Sequence, residues 1–146
     1  MTNQTSDQNT PRTNPCTYLG NLERFIDQHR DYIRSTSSGA VFEWTGNRWK
    51  PVSYADIFNL ARKTVFKIQS EARHAATEAE ANDLRRWSLT SQGEAKIRSM
   101  INMACKHEDI QVRLGDFDKN KTQINCLNGI IDLTSGQLLG RTPKDY

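Results

Sequence analysis

Two acidic residues one position apart, Asp116 and Asp118, are the first candidates for catalytic chemistry in this chain. Paired carboxylates presented from a strand hold the divalent ions of two-metal nucleotidyl-transfer enzymes. Here the pair runs directly into Lys119-Asn120-Lys121, which is typical of a polar turn, and no third carboxylate or companion histidine completes a site. We therefore predict no catalytic residue and no metal site in the chain.

A second pattern combines aromatic and basic side chains around a tight turn. Residues 41–50, VFEWTGNRWK, form two short runs around Thr45-Gly46-Asn47, which predicts a β-hairpin. Such side chains on a sheet can stack on nucleic-acid bases and hold phosphates. Cross-strand aromatic pairs also commonly do no more than stabilise a hairpin, so both interpretations stay open. The candidate DNA-binding residues on this hairpin are Trp44, Arg48, Trp49 and Lys50.

The predicted helix after the hairpin carries further basic candidates. Residues 53–56 have the sequence of a capping box, and apolar residues then recur close to every fourth position as far as residue 79. Between Trp44 and Ala75 there are six basic and two acidic residues, a local net charge of +4. Most such charge runs are simply solvated helix faces. The side chains that we select as phosphate contacts are Arg62, Lys63 and Lys67.

Composition and cysteine usage limit the class of protein. The 146 residues are 36% apolar and 25% charged with a net charge of +3, which is typical of a soluble folded domain. The odd number of cysteines and the lack of a C-x-x-C pair indicate reduced thiols. No apolar run approaches the ~20 residues that span a bilayer, and no secretion signal begins the chain, so we expect a cytoplasmic protein without a membrane partner.

The sequence pattern predicts a helix-rich α+β domain with an N-terminal β-hairpin and a small C-terminal antiparallel meander. These elements must position the candidate residues. Residues 1–19 are expected to be a disordered polar tail, and residues 20–146 the domain. The first helix is predicted from Asn21 through Ile33, with His29 packed in its apolar stripe. A break is expected at Asn82-Asp83, and a second capping box at residues 91–94 is expected to open the last helix.

The C-terminal meander is predicted from three short runs, 122–127, 130–133 and 137–139. Asn128-Gly129 is expected to form the first turn, and residues 134–136 the second. The chain has no G-x-x-x-x-G-K-[ST] phosphate loop, no G-x-S-x-G elbow and no H-E-x-x-H motif. It therefore has no sequence basis for phosphate-loop nucleoside-triphosphate hydrolysis.

Residues 115–118, 124–138 and 143–146 together resemble a segment of the phage and plasmid primase–helicase family, which includes the poxvirus primase–helicase. That family has a phenylalanine-aspartate boundary, a strand pair with asparagine-glycine and isoleucine-aspartate-leucine, and a proline-x-aspartate-tyrosine exit. The resemblance covers roughly residues 20–146, more loosely in the hairpin and the helix after it. It departs at residues 119–121 and at Ser135. The matching positions are Ile124, Asn125, Asn128, Gly129, Ile131, Asp132, Leu133, Gly136, Asp145 and Tyr146.

The resemblance implies the domain that precedes a superfamily-three helicase motor, often after a primase domain. The expected function is a non-catalytic module that assists DNA engagement or couples to the motor. The alternatives are a primase fragment that uses Asp116 and Asp118 with a divalent metal, and a structural oligomerisation collar. No cofactor is expected in this chain, since ATP and Mg²⁺ would serve the absent motor.

The partners implied are single-stranded or forked DNA, the motor and primase domains, and further copies of the full-length protein. The implied location is the cytoplasm of a bacterial host cell. Because the family chain continues past its aspartate-tyrosine exit, we expect Tyr146 to mark the point where a motor would be joined.

Overall fold

The computed structural model describes residues 14–118 and 120–141, and it confirms the α+β class. The first thirteen residues of the predicted tail and the exit at residues 143–146 lie outside the described part. Within that part, no helix is both long and apolar enough to cross a membrane. The helices are α1 (Tyr18–His29), α2 (Tyr54–Glu71), α3 (Glu78–Ser91) and α4 (Glu94–Ala104).

In the part of the chain that the structure describes, seven strands form two separate sheets. The four-stranded sheet has the order β3-β2-β1-β4, with β4 parallel to β1 and the other pairs antiparallel. Its strands are β1 (Ile33–Thr36), β2 (Val41–Trp44), β3 (Trp49–Pro51) and β4 (Gln111–Val112). The C-terminal sheet is the predicted meander of β5 (Gln123–Cys126), β6 (Gly129–Asp132) and β7 (Leu138–Leu139).

The main core lies between α1, α2, α4 and one face of the four-stranded sheet. Ile33 enters this core from β1, and Val41 of β2 packs against it. The Ser35 hydroxyl donates a hydrogen bond to the Cys105 carbonyl at 2.5 Å, which joins the sheet to the end of α4. A smaller core between α2 and α3 contains Ile68, Ala72, Ala81 and Leu84.

The first helix is shifted toward the N-terminus, since it begins at Tyr18 rather than at Asn21. It ends at His29, and Ile33 begins strand β1 instead of completing the helical stripe. Ile33 is still buried, because the strand brings its side chain to the same core. Burial was therefore predicted correctly and secondary structure wrongly. Ile33 and Thr36 are both branched at Cβ, which favours a strand over a helix.

The apolar stripe predicted after the hairpin is confirmed from Ile57 to Ala72, and its continuation to Ala79 is wrong. Helix α2 ends at Glu71 and a 3₁₀ turn follows, so Ala76 and Ala79 are exposed. Thr77 then caps α3 by accepting a hydrogen bond from the Glu80 amide at 3.2 Å, and α3 packs back on α2. A threonine cap competes with helix continuation, which explains why alanine spacing alone misled.

Two further helix predictions have opposite outcomes. The capping box of Ser53 and Asp56 is confirmed, with both reciprocal hydrogen bonds present. The box predicted at residues 91–94 is wrong, because Ser91 is the buried last residue of α3 and accepts a hydrogen bond from Asn21 at 3.0 Å. Helix α3 also runs unbroken through Asn82-Asp83.

The first turn of the meander lies one residue earlier than predicted. Cys126 pairs with Gly129, so Leu127 and Asn128 form the turn and Gly129 is already a strand residue. Gly129 has a φ of +155°, and a Cβ there would lie 2.5 Å from the Leu139 carbonyl oxygen. A glycine is therefore required by the close approach of β7, rather than by the turn itself.

A buried arginine, Arg24 of α1, holds three segments together. Its guanidinium bonds both carboxylate oxygens of Glu71 at the end of α2, at 2.7–3.0 Å. It also donates to the Pro15 carbonyl at 2.9 Å, which pins the segment before α1. That segment passes so close to Gly20 that a Cβ there would lie 1.9 Å from the same carbonyl oxygen.

We predict that Arg24→Ala lowers the free energy of unfolding by about 3 kcal/mol. The Arg24 side chain is 1% exposed, so its loss removes the partner of Glu71 and the donor to the Asn14 carbonyl, while the Pro15 carbonyl keeps only the Thr17 amide. Arg85→Ala is the matched control, since the Arg85–Glu78 pair is solvent-exposed and should contribute less than about 1 kcal/mol. Urea denaturation measures both, and equal losses in the two variants would contradict the assignment.

His29 is packed in the core, as predicted, and its burial has a consequence for pH. Its two ring nitrogens lie 2.7 Å from the Tyr32 hydroxyl and 3.0 Å from the Thr64 hydroxyl. Burial, followed by the positive charges of Lys67 and Lys63, lowers the pKa of His29 from 6.5 to about 4. The folded state therefore favours the neutral imidazole.

We predict that stability falls as the pH drops from about 6.5 to about 4, because the unfolded chain takes up a proton that the folded chain refuses. Urea midpoints across this range should show a shallower decline in His29→Leu than in the parent. The matched control is His74→Gln, which removes an exposed histidine, and the decline in His29→Leu should also be shallower than in this control. An unchanged slope in His29→Leu would refute this.

Candidate nucleic-acid interface

The hairpin sends its aromatic side chains to the sheet face that is turned away from the helical core. Trp44 pairs with Trp49, and Glu43 pairs with Lys50. Successive residues of a strand point to opposite faces, so Phe42 and Trp44 face away from the core side that Val41 occupies. Trp49 shares this outer face, whereas Lys50 points to the other one.

The aromatic rings form one cluster in direct contact. The ring centroids of Trp44 and Trp49 lie 5.6 Å apart, and those of Phe42 and Phe117 lie 4.8 Å apart. Phe117 also meets Trp49 edge-on at 6.0 Å. The guanidinium of Arg34 lies 5.2 Å from the centre of the Trp49 ring, within cation–π range. The expected cross-strand aromatic pair is therefore present, and it is part of a larger cluster.

This cluster forms one wall of a recess of about 320 Å³ between the hairpin and the C-terminal sheet. Side chains of β5 and β6 form the opposite wall, where Asn125 pairs with Ile130. The recess is thus built by both sheets. Its lining consists of Phe42, Trp44, Arg48, Trp49, Leu114, Phe117, Asn120, Gln123, Asn125 and Ile130.

A second recess adjoins the first and shares Arg48 and Asn125 with it. It is basic, because Arg48, Lys50 and Arg141 line it together with the hairpin turn and the β5–β6 turn. Arg141 is anchored by a hydrogen bond of 3.1 Å to the Gly129 carbonyl. Among the described residues that line either recess, none is an aspartate or glutamate.

Trp44, Arg48 and Trp49 therefore line the aromatic recess, whereas Lys50 points to the other face of the sheet and lines the basic recess with Arg48. The other three candidates lie elsewhere. Arg62, Lys63 and Lys67 are exposed on α2, on the helical side of the four-stranded sheet, and line neither recess. Arg62 lies 5.7 Å from the centre of the exposed Phe66 ring.

One residue of the acidic pair, Asp116, has a structural role in a turn. Asp116 accepts a hydrogen bond from the Arg113 amide at 3.0 Å and closes a turn with it. The side chain of Asp118 lies outside the described part of the structure. Over the residues that are described, no three His, Cys, Asp or Glu side chains lie where they could share a metal ion. The three cysteines are unpaired thiols.

Several residues of this surface were missed from the sequence. Phe117 lies inside the motif that drew attention for its carboxylates, and Arg34 directly follows the residues assigned to the first helix. Gln123 and Asn125 could have been found, because alternate residues of the predicted strand 122–127 share one face. Arg141 gave no signal, since only the fold brings it to the hairpin.

The chain matches a known protein family over most of its length. A family model described as "D5 N terminal like" matches residues 22–146. A search of curated proteins finds no match. The matched segment covers the helical core, both sheets and all seven residues selected as DNA contacts. The chain belongs to the D5 N-terminal-like family, whose domain is found in phage and plasmid primase–helicase proteins.

Proposed function

We propose that this domain is a non-catalytic module that engages single-stranded DNA for a primase–helicase. The family supports a role in replication. The observation that carries DNA contact is the pair of adjoining recesses, one aromatic and one basic, with no carboxylate among their described lining residues. Single-stranded DNA binds to such surfaces through stacking on aromatic rings and attraction of its phosphates.

The geometry suggests a different role in DNA binding for each of the hairpin residues. Trp44 forms part of the aromatic wall and is half-buried, so its ring is the candidate for stacking. Trp49 lies between the Arg34 guanidinium and the Phe117 ring, so we assign it to holding the wall in place. The phosphate contacts are Arg48, Lys50 and Arg141.

The cations of α2 have a different part in this proposal. Arg62, Lys63 and Lys67 lie outside the recesses, so we assign them to attracting DNA toward the domain, or to a flanking stretch of a fork. The motor and primase domains remain the proposed protein partners. ATP and Mg²⁺ belong to the motor in this proposal.

Fluorescence anisotropy with a labelled single strand tests DNA contact. Affinity should fall steeply with salt, and the double variant Arg48→Ala/Lys50→Ala should bind weakly and lower the salt slope by about 1.4. The slope changes by roughly 0.7 for each phosphate that a single strand no longer has neutralised.

Two variants complete this experiment. Arg85→Ala removes an exposed cation on α3 and should leave binding unchanged. The triple variant Arg62→Ala/Lys63→Ala/Lys67→Ala should weaken binding less than the double variant does. Absence of binding at about 50 mM salt would contradict DNA engagement, and a larger loss in the triple variant would move the site to α2.

A second candidate function, self-association, is favoured by the outer face of the C-terminal sheet. Ile124, Ile131 and Leu138 form one row across its three strands. Ile124 and Leu138 are 51% and 58% exposed, and nearby Leu133 is 55% exposed. Apolar side chains grouped in this way are typical of protein interfaces. We propose that a second copy of the chain covers this row.

Light scattering tests self-association. The parent should show a mass above 16.7 kDa that rises with concentration, and Leu138→Lys should restore the monomer mass. Leu89→Lys is the control, since Leu89 is 63% exposed on α3, away from this sheet. A parent that stays monomeric at high concentration would exclude a collar formed by this domain alone.

A further inference from the structure

The aromatic recess has the size and the lining of a site for one small planar group. Its volume of about 320 Å³ is at the lower end of the range for small-molecule sites. Such sites combine apolar and aromatic walls with a few polar groups that fix orientation. A recess of this volume admits a single nucleobase.

A planar group can lie against the aromatic wall but cannot insert between its rings. The contacts of Trp49 with Trp44, at 5.6 Å, and with Phe117, at 6.0 Å, are direct ring contacts. No base can enter between rings that already touch, so a base must lie against the side of the wall that faces the recess. Arg34 covers part of Trp49, which leaves Trp44 as the principal stacking partner.

The opposite wall carries amides that can meet the edge of a base. Gln123 and Asn125 share one face of β5, and Gln123 accepts a hydrogen bond from Asn120 at 3.2 Å. Each amide has two donor hydrogens and an acceptor oxygen, so this single bond leaves donors and acceptors for a ligand. Among the described residues, the Asn125 side chain has no hydrogen-bond partner.

The connection between the aromatic recess and the basic recess indicates which kind of ligand fits. Arg48 and Asn125 line both recesses, so a group held in the aromatic recess is directly joined to the basic one. A nucleotide within a strand has this arrangement, with a flat base on one side and phosphates on the other. Lys50 and Arg141 complement those phosphates without an opposing carboxylate among the described lining residues.

We propose that the aromatic recess is a subsite for one unpaired base of single-stranded DNA, stacked on Trp44 with its edge at Asn125. The proposal rests on the DNA engagement proposed above and adds to it. Duplex DNA keeps its bases inside the helix, so the subsite selects unpaired over paired strands.

Strands without bases separate this proposal from DNA binding in general. Anisotropy compares an ordinary single strand with a fully abasic strand that has the same number of phosphates. The parent protein should bind the ordinary strand at least about 5-fold more tightly, since base stacking on aromatic side chains contributes that much or more per base. Duplex of equal length should bind more weakly than the ordinary single strand.

Three variants assign the difference to the recess. Trp44→Ala and Asn125→Ala should each weaken binding of the ordinary strand and leave the abasic strand unchanged. Lys50→Ala should weaken both strands by the same factor. Asn125 is exposed on β5, so its variant keeps the test valid if Trp44→Ala fails to fold.

Each outcome has one meaning. Equal affinity of the parent for ordinary and abasic strands would overturn the base subsite and leave electrostatic DNA engagement standing. Binding of neither strand would overturn the proposed function itself. A base-dependent difference that persists in both Trp44→Ala and Asn125→Ala would show that the base is read elsewhere on the protein.

Discussion

The alternation of side chains along β2 and β3 is the constraint on which this domain depends. One face of the four-stranded sheet receives Ile33 and Val41 and closes the helical core. The other face must then present Phe42, Trp44 and Trp49. A shift of one residue in register would exchange the two faces and expose the core residues. The same register therefore stabilises the fold and creates the aromatic wall.

Without the C-terminal segment, the aromatic side chains on the outer face of the four-stranded sheet would be more exposed to solvent. Phe117 comes from the segment after α4 and partly covers the rings of Phe42 and Trp49. What remains uncovered is a recess with a basic neighbour, and both depend on the C-terminal sheet for amides and for Arg141. The residues that resemble the primase–helicase family thus help to build the proposed DNA site.

The sequence predicted the elements whose signals are local. The hairpin, the capping box at Ser53 and the three-stranded meander follow from turn and cap chemistry, and they are confirmed. The errors arose where tertiary structure decides. Ile33 has the spacing of a helix but reaches the core from a strand, and Ser91 has the sequence of a cap but is buried against Asn21. The site followed the same rule. The site residues on the hairpin were predicted from the sequence, whereas Arg34 and Arg141 were recognised only from the folded structure.

The central claim is that single-stranded DNA enters the recess beside Trp44. The chain has three tryptophans, and the third, Trp87, lies in the contact of α3 with α1, where its indole N–H donates to Asn21 at 2.8 Å. A titration with a short single strand, followed by NMR of the three indole N–H groups, tests the claim most directly. The signals of Trp44 and Trp49 should shift while that of Trp87 stays fixed. Binding that leaves the Trp44 and Trp49 signals unmoved would contradict it.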